Sequence, residues 1–339
     1  MTARDATIGA FLEKAGWGEA ERAKLADDAS FRVYWRIRRG GEQAVLMDAP
    51  PPEDVRPFHF VAGLLLKMGL SPPRPLAVDP EAGLMLLEDL GDATFTKALA
   101  AGADEAGLYG LAVDTLVALH RAWQPEPAER AALPLYDEAR LLDEALLLTD
   151  WFLPALRGRE TPAGAREAYI EAWRAVLPAA EALPPTLVLR DYHVDNLMVL
   201  QGRQGVAACG LLDFQDAVLG SPAYDLVSLL EDARRDIAAE LVDEMLERYL
   251  RAFPGLDRAA LRAAMAILGA QRSAKIIGIF TRLDRRDGKP HYLKHIPRVW
   301  RLLEGDLAHP ALAPVRAWFD REVPAAQRVA PAAAEEAQA

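Results

Sequence analysis

Cysteine is almost missing from this 339-residue sequence. The lone Cys209 cannot close an intrachain disulfide, and no second thiolate is available for a metal cluster, so a reducing, cytoplasmic setting is expected. Basic residues are in deficit, 39 Lys and Arg against 50 Asp and Glu, and the net charge of -11 argues against nucleic acid as a partner. Long apolar runs are lacking as well. None approaches the roughly 20 residues that span a bilayer, and Asp5, Glu13 and Lys14 interrupt any N-terminal apolar core, so neither a membrane partner nor a signal segment is expected. Residues 326–339 hold few large apolar groups and are expected to be disordered. No internal repeat is visible.

What is present is enough chain for more than one core, and a bilobal or two-domain arrangement follows from the length. Residues 6–25 read as a helix. Two β-rich runs, Ser30 to Ile37 and Gln43 to Met47, flank Gly40-Gly41 as a hairpin would. Phe58, Val61, Leu64, Leu65 and Met68 have helical spacing, with Gly69 as the stop, and "RPLAV", "DPEAG" and "LMLLED" make a second hairpin. Beyond Thr94 helices are expected over 105–121, 136–149, 162–180, 222–252, 258–281 and 291–304, interrupted by short strands around 186–213. The fold class is α+β, a small β-rich region followed by a large, mostly helical one.

The interruption carries the polarity. In "RDYHVDN" Asp191 and Asn196 stand five apart on one loop, and Asp213 ends the next apolar strand in "GLLDFQDA". Two antiparallel strands joined by a turn bring Asn196 beside Asp213, where an amide oxygen and a carboxylate converge. Hard oxygen donors of this kind suit Mg²⁺, which takes its remaining ligands from water and substrate phosphates. Asp191 is then left to accept a hydroxyl proton.

The spacing resembles the R-D-x-x-x-x-N catalytic loop and D-F-G metal strand of protein kinases. Neither a G-x-G-x-x-G loop nor an A-P-E segment is present, however, and His193 two places after Asp191 is similar to the aminoglycoside phosphotransferase and choline kinase group. "VLMDAPPP", "DFQDA" and "IIGIFTRLDRRDGK" resemble more narrowly the anomeric N-acetylmuramate and N-acetylglucosamine kinases of bacterial cell-wall recycling. The resemblance covers roughly the whole chain.

It implies a protein-kinase-like bilobal fold with a nucleotide-binding lobe at 1–87, a hinge at 88–92 and a catalytic and substrate-binding lobe at 93–325. It implies ATP as co-substrate, Mg²⁺ as cofactor and an amino sugar as acceptor. Asp191 becomes the base, Asn196 and Asp213 the metal ligands, and Glu88, Asp89 and Leu90 the hinge against adenine. The turn containing Ser30 would cover the phosphates. Met47 occupies the place where the group usually has a phosphate-pairing lysine, so Arg32 or Arg36 on the preceding strand is expected to supply that charge. Asp225 is expected to accept hydrogen bonds from the catalytic-loop backbone. His193, Asp195 and Asp216 are candidates for the acceptor.

The charge is uneven: residues 271–301 hold nine Lys and Arg against two acids. Within that stretch Lys275 and Arg282 are expected to meet a substrate carboxylate and to repel polycationic aminoglycosides. Another hydroxyl acceptor such as choline, homoserine or an aminoglycoside stays open, as does a nucleotide-binding pseudokinase motivated by Met47.

Overall fold

The computed structural model describes residues 2–27 and 32–334. Helix α1 (Ala3–Lys14) is followed by strands β1 (Glu21–Asp27), β2 (Val33–Arg39) and β3 (Glu42–Asp48), then α2 (Arg56–Lys67), β4 (Pro75–Asp79), β5 (Leu84–Glu88), α3 (Phe95–Ala100) and α4 (Glu105–Ala122). Next come α5 (Pro127–Ala132), α6 (Glu138–Ala145), α7 (Leu153–Arg157), α8 (Ala163–Arg174) and α9 (Leu177–Ala180). Short strands β6 (Thr186–Val188), β7 (Leu197–Val199), β8 (Cys209–Leu211) and β9 (Val218–Gly220) precede α10 (Ala223–Leu230), α11 (Ala239–Ala252), α12 (Arg258–Asp287), α13 (Ile296–Leu307) and α14 (Ala313–Glu322). The chain forms two compact units, Met1–Ala122 with Val194–Ala217, and Trp123–His193 with Val218–Ala339.

The first unit is built on an antiparallel sheet in the order β1-β2-β3-β5-β4. Register sets its two faces. Tyr34, Met47 and Met85 lie opposite one another, as do Arg36, Val45 and Leu87, so these six side chains share one face. Ile37, Ala44, Leu46, Leu84 and Leu86 occupy the other and pack on Ile8, Phe11 and Leu12 of α1. Each fully buried Leu, Ile or Phe contributes about 1.5–3 kcal/mol, which is why the helix stays on the sheet. Gly40 and Gly41 both have positive φ, as a tight hairpin turn demands.

The single helix expected over 6–25 is not formed. The α1 helix stops at Lys14, Gly16 takes a φ of 80°, and "ERAKLAD" runs as an edge strand on β2. Its helical composition is overridden because an open edge offers a ladder of backbone hydrogen bonds.

The second unit is arranged around α12, which packs against α6, α9, α10 and α13. The helix is long and apolar enough to cross a membrane, yet 78% of its apolar window is buried within the protein, as befits a core helix. The helix expected over 222–252 is broken between Leu230 and Ala239, where the Asp232 carboxylate accepts the Arg234 amide and competes with helical continuation. Nor is the chain from 326 to 334 loose. Arg328 bonds to Glu304, Asp320 and the Val323 carbonyl, Arg285 donates to Ala332 O, and the Ala334 amide reaches Asp284. These polar anchors need no large apolar groups, and only 335–339 of the expected tail lie outside the described residues.

Two close approaches carry predictions. A Cβ on Gly278 of α12 would lie 2.3 Å from the carbonyl carbon of Leu147 and 2.5 Å from its oxygen. Gly278→Ala is therefore expected to destabilise by at least about 1–3 kcal/mol, read as a lower urea midpoint at unchanged m.

Further along the same helix, a Cβ on Gly269 would come within 2.6 Å of carboxyl oxygens on both Glu231 and Asp306. Burial pushes Glu231 up to about 7, and burial together with the neighbouring Glu231 charge raises Asp306 well above the usual range. The folded chain thus keeps protons that the unfolded chain releases near 4.5 and 3.8. Stability from this pair is complete below those values and declines as pH rises through about 7. Burial of His120 and His193 acts in the opposite sense, but only below their ordinary 6.5. Asp225, also pushed up to about 7 by burial, adds to the decline, so the urea midpoint is expected to fall as pH rises through about 7, and Glu231→Gln to reduce that slope.

Candidate active site

The first unit contains a cavity of about 410 Å³. Tyr34, Arg36, Val45 and Leu87 line it from the sheet, Glu88 to Asp92 from the end of β5 and the segment after it, and Asn196, Met198, Leu212 and Asp213 from the β7–β8 hairpin. The pairing of Leu197 with Leu211 puts Asn196 and Asp213 just beyond the paired residues at the same end. There Asn196 Nδ2 donates to Asp213 Oδ2 at 3.3 Å, and the Leu212 amide donates to Asn196 O at 2.9 Å. Gln215 Nε2 holds Asp213 Oδ1 at 2.8 Å.

Among the described residues no cluster of three or more acidic, histidine or cysteine side chains could hold a metal. A cation here would have few protein ligands and would lean on water and phosphate for the rest. Mg²⁺ tolerates that, and the carboxylate-plus-amide donor set fits it.

Backbone conformation singles out two positions. Among the described residues Arg190 (φ 69°) and Asp213 (φ 58°) are the non-glycine residues with positive φ. Such conformations cost of order 1–3 kcal/mol and persist where surrounding contacts over-determine them. One lies directly before Asp191 and the other is the expected metal ligand.

In the second unit β6 pairs with β9 and delivers the loop that carries Asp191. The buried Asp225 of α10 accepts the amides of Leu189 at 2.7 Å and Arg190 at 2.9 Å. Burial pushes Asp225 up to about 7 against the pull of those two donors. Ser228 Oγ donates to Arg190 O at 3.0 Å and in turn accepts from Arg272 Nη2 at 3.0 Å. His193 is buried, and burial followed by the nearby Arg234 charge lowers its pKa, so it is a neutral imidazole at pH 7.

Other expected site residues have defined partners. Arg36 is held by both oxygens of Asp89 and both of Asp92, at 2.6–3.1 Å, and these bonds, Asp92 first, raise its pKa. Arg32 bonds Glu53 at 2.8 Å. Met47 is 1% exposed and does not line the cavity: packed between Tyr34 and Met85, it is sheet interior. Arg203 Nη2 reaches Glu88 at 2.5 Å. The Thr96 hydroxyl donates to Asp195, and Asp216 is exposed, 3.4 Å from Gln215 Nε2.

Lys275 Nζ bonds Glu144 at 2.9 Å, so its charge is already matched inside the protein rather than offered to a ligand. Arg282 is half-buried, and its Nε finds no hydrogen-bond partner among the described residues. Burial, then Arg286, lowers its pKa. Ser30 lies outside the described residues. Glu144, Glu53 and Arg203 carry no sequence signal, since each acquires its partner only through tertiary contact.

A family model described as the phosphotransferase enzyme family matches residues 21–264. The chain belongs to this phosphotransferase family. The N-acetylmuramate/N-acetylglucosamine kinase of Caulobacter vibrioides is 41% identical, with 96% of this chain and 98% of the relative covered. The protein of the same name from Pseudomonas aeruginosa is 40% identical, with 88% of each covered. Among solved structures, the streptomycin–ATP ternary complex of APH(2")-IIa superposes with a TM-score of 0.58 at 19% identity, covering 92% of this chain and 98% of that one. The GDP complex of aminoglycoside 2'-phosphotransferase-IIIa gives 0.61 at 15%, covering 91% and 99%. At such identities the structures speak to fold alone. This phosphotransferase has the kinase-like fold, with a small antiparallel sheet followed by a largely helical remainder.

Proposed function

We propose that this phosphotransferase is a cytoplasmic kinase that transfers the γ-phosphoryl group of ATP to the anomeric hydroxyl of N-acetylmuramate or N-acetylglucosamine, in peptidoglycan recycling. The observation that carries this reading is the set of four relatives bearing that kinase name, 36–41% identical over 80–96% of this chain. Two strained backbone positions, Arg190 directly before Asp191 and Asp213 itself, support the chemistry.

The cavity of the first unit receives the nucleotide, with the Glu88 to Leu90 backbone against adenine and Val45, Leu87, Met198 and Leu212 as apolar walls. Asn196 and Asp213 would hold Mg²⁺. That ion, when bound, offsets charge on the β- and γ-phosphates. Asp191 orients the acceptor hydroxyl and takes its proton; an anomeric hydroxyl is more acidic than an ordinary alcohol, so an ordinary carboxylate suffices as base.

Arg36, which lines the cavity and is bonded by Asp89 and Asp92, and Arg32, which is engaged by Glu53 and Tyr34, are the two cations that would supply the charge replacing a strand lysine. With Lys275 matched by Glu144, Arg282 is the better seat for a substrate carboxylate, while Asp195 and Asp216 suit sugar hydroxyls. No nucleic-acid or membrane partner is invoked. A panel of amino sugars, choline, homoserine and aminoglycosides offered with Mg-ATP tests the assignment. Turnover confined to amino sugars, with loss of the reducing-sugar reaction, is expected; turnover of another acceptor, or a phosphorylated sugar that still reduces, contradicts it.

A further inference from the structure

The residue just before the proposed base is strained, and the contacts that hold it point to a function for a glutamate 46 positions upstream. Arg190 has a φ of 69°, a conformation that costs a residue with a Cβ about 1–2 kcal/mol. Its amide is taken by Asp225 at 2.9 Å and its carbonyl by Ser228 Oγ at 3.0 Å, both from α10. Those bonds restrain the backbone at two atoms and leave the side chain unspecified. The guanidinium lies over the Tyr136 ring, 5.5 Å from its centroid, and Nη2 bonds Glu144 Oε1.

Glu144, on α6, does more than pair with one cation. Its Oε1 also accepts Lys275 Nζ at 2.9 Å, while Oε2 accepts the Tyr136 hydroxyl and Gln271 Nε2, the latter at 3.3 Å. A carboxylate has about four acceptor positions, and here four donors from three parts of the second unit use them. Burial pushes Glu144 up, but Lys275, Arg190 and the tyrosine hydroxyl outweigh it and hold the carboxyl below the usual glutamate range. It is charged at neutral pH, and two half-buried cations depend on it. Replacing a partly buried ionic cluster by apolar groups of the same volume is often neutral or stabilising, so stability alone is weak grounds for building one.

We propose that Glu144 is a positioning residue for phosphoryl transfer: it anchors the Arg190 guanidinium, and thereby holds the peptide that carries Asp191 in the left-handed conformation aiming that carboxylate. The inference rests on the reading of Asp191 as base. Without the anchor two cations lose their shared carboxylate, the charged contact at Arg190 Nη2 is gone although the Tyr136 ring contact stays, and the backbone relaxes toward negative φ. Asp191 then points away from the acceptor in most molecules. Nucleotide contacts at Glu88 to Leu90 belong to the other unit and are not changed.

The test is a double-mutant cycle on kcat with Glu144→Gln and Arg190→Met, read alongside KM for ATP and the urea midpoint. Glu144→Gln is expected to lower kcat about 10–100-fold, as misplacement of a reacting group does, with KM for ATP within about twofold. In the Arg190→Met background the same change should cost less than about threefold, because the two act through one contact. Additive losses, or a Glu144→Gln enzyme with kcat within about threefold of the parent, overturn the proposal. Should Glu144→Gln not accumulate as folded protein, the cycle is run with Glu144→Asp, which keeps the charge but withdraws it by one methylene; coupling of the same sign is expected, and additivity again overturns. A neutral Glu144→Gln beside a dead Asp191→Asn removes this inference only, whereas an active Asp191→Asn removes the assignment of the base.

Discussion

Asp191→Asn is expected to lower kcat by about 10²–10⁴-fold, the range by which a positioned base contributes, and to leave Mg-ATP affinity within about twofold. The amide preserves volume and can still accept one hydrogen bond from the acceptor hydroxyl, so substrate placement survives. What it cannot do is take the proton as the oxygen–phosphorus bond forms. The surrounding loop has no reason to move: Asp225 still receives the Leu189 and Arg190 amides, and the Asp191 amide still donates to Leu189 O at 2.9 Å. Single-turnover measurements with bound nucleotide separate the chemical step from binding. Retained turnover would mean that the proton leaves by another route, and that Asp191 serves only to orient.

Asp213→Asn is expected to be nearly as severe, with kcat/KM for Mg-ATP lowered by about 10²–10³-fold. Asparagine is the informative replacement because Asp213 sits at a φ of 58°, where Asn is tolerated far better than alanine. The backbone and the contact with Asn196 are thereby kept, and only the charge is withdrawn. A hard divalent cation held by this pair would lose its one anionic protein ligand, since Asn196 would contribute a neutral oxygen. The rate should then climb with added Mg²⁺ over a range in which the parent enzyme is saturated. An Asp213→Asn enzyme with unchanged Mg²⁺ dependence would place the ion elsewhere.

Much of this arrangement can be read from local pattern. Gly40-Gly41 between alternating β-rich runs dictates the β2–β3 hairpin, and helical spacing from Phe58 to Met68 with Gly69 beyond it dictates α2. The meeting of Asn196 with Asp213 follows from two short strands and a turn, because antiparallel register leaves few choices. Charge partners are different. The side chain of Arg36 was an open charge until Asp89 and Asp92, more than 50 residues later, came to lie against it. Lys275 was likewise open until α6 and α12 packed together and offered Glu144.

The same holds for "ERAKLAD". Its composition favours a helix, and only the unpaired edge of β2 makes it a strand. Local sequence fixes conformation where turn chemistry or periodicity is strong. A long flexible charge finds its partner in the assembled fold, and Glu144, with four donors drawn from Tyr136, Arg190, Gln271 and Lys275, leaves no trace in any short window of sequence.

The most direct test of the account is the position of the transferred phosphate. Protein, Mg-ATP and N-acetylmuramate or N-acetylglucosamine are incubated, and the product is examined by phosphorus–proton correlation. Coupling of phosphorus to the anomeric proton is the predicted result; coupling to the protons of C6, or no phosphorylated sugar at all while ATP is bound, would contradict it.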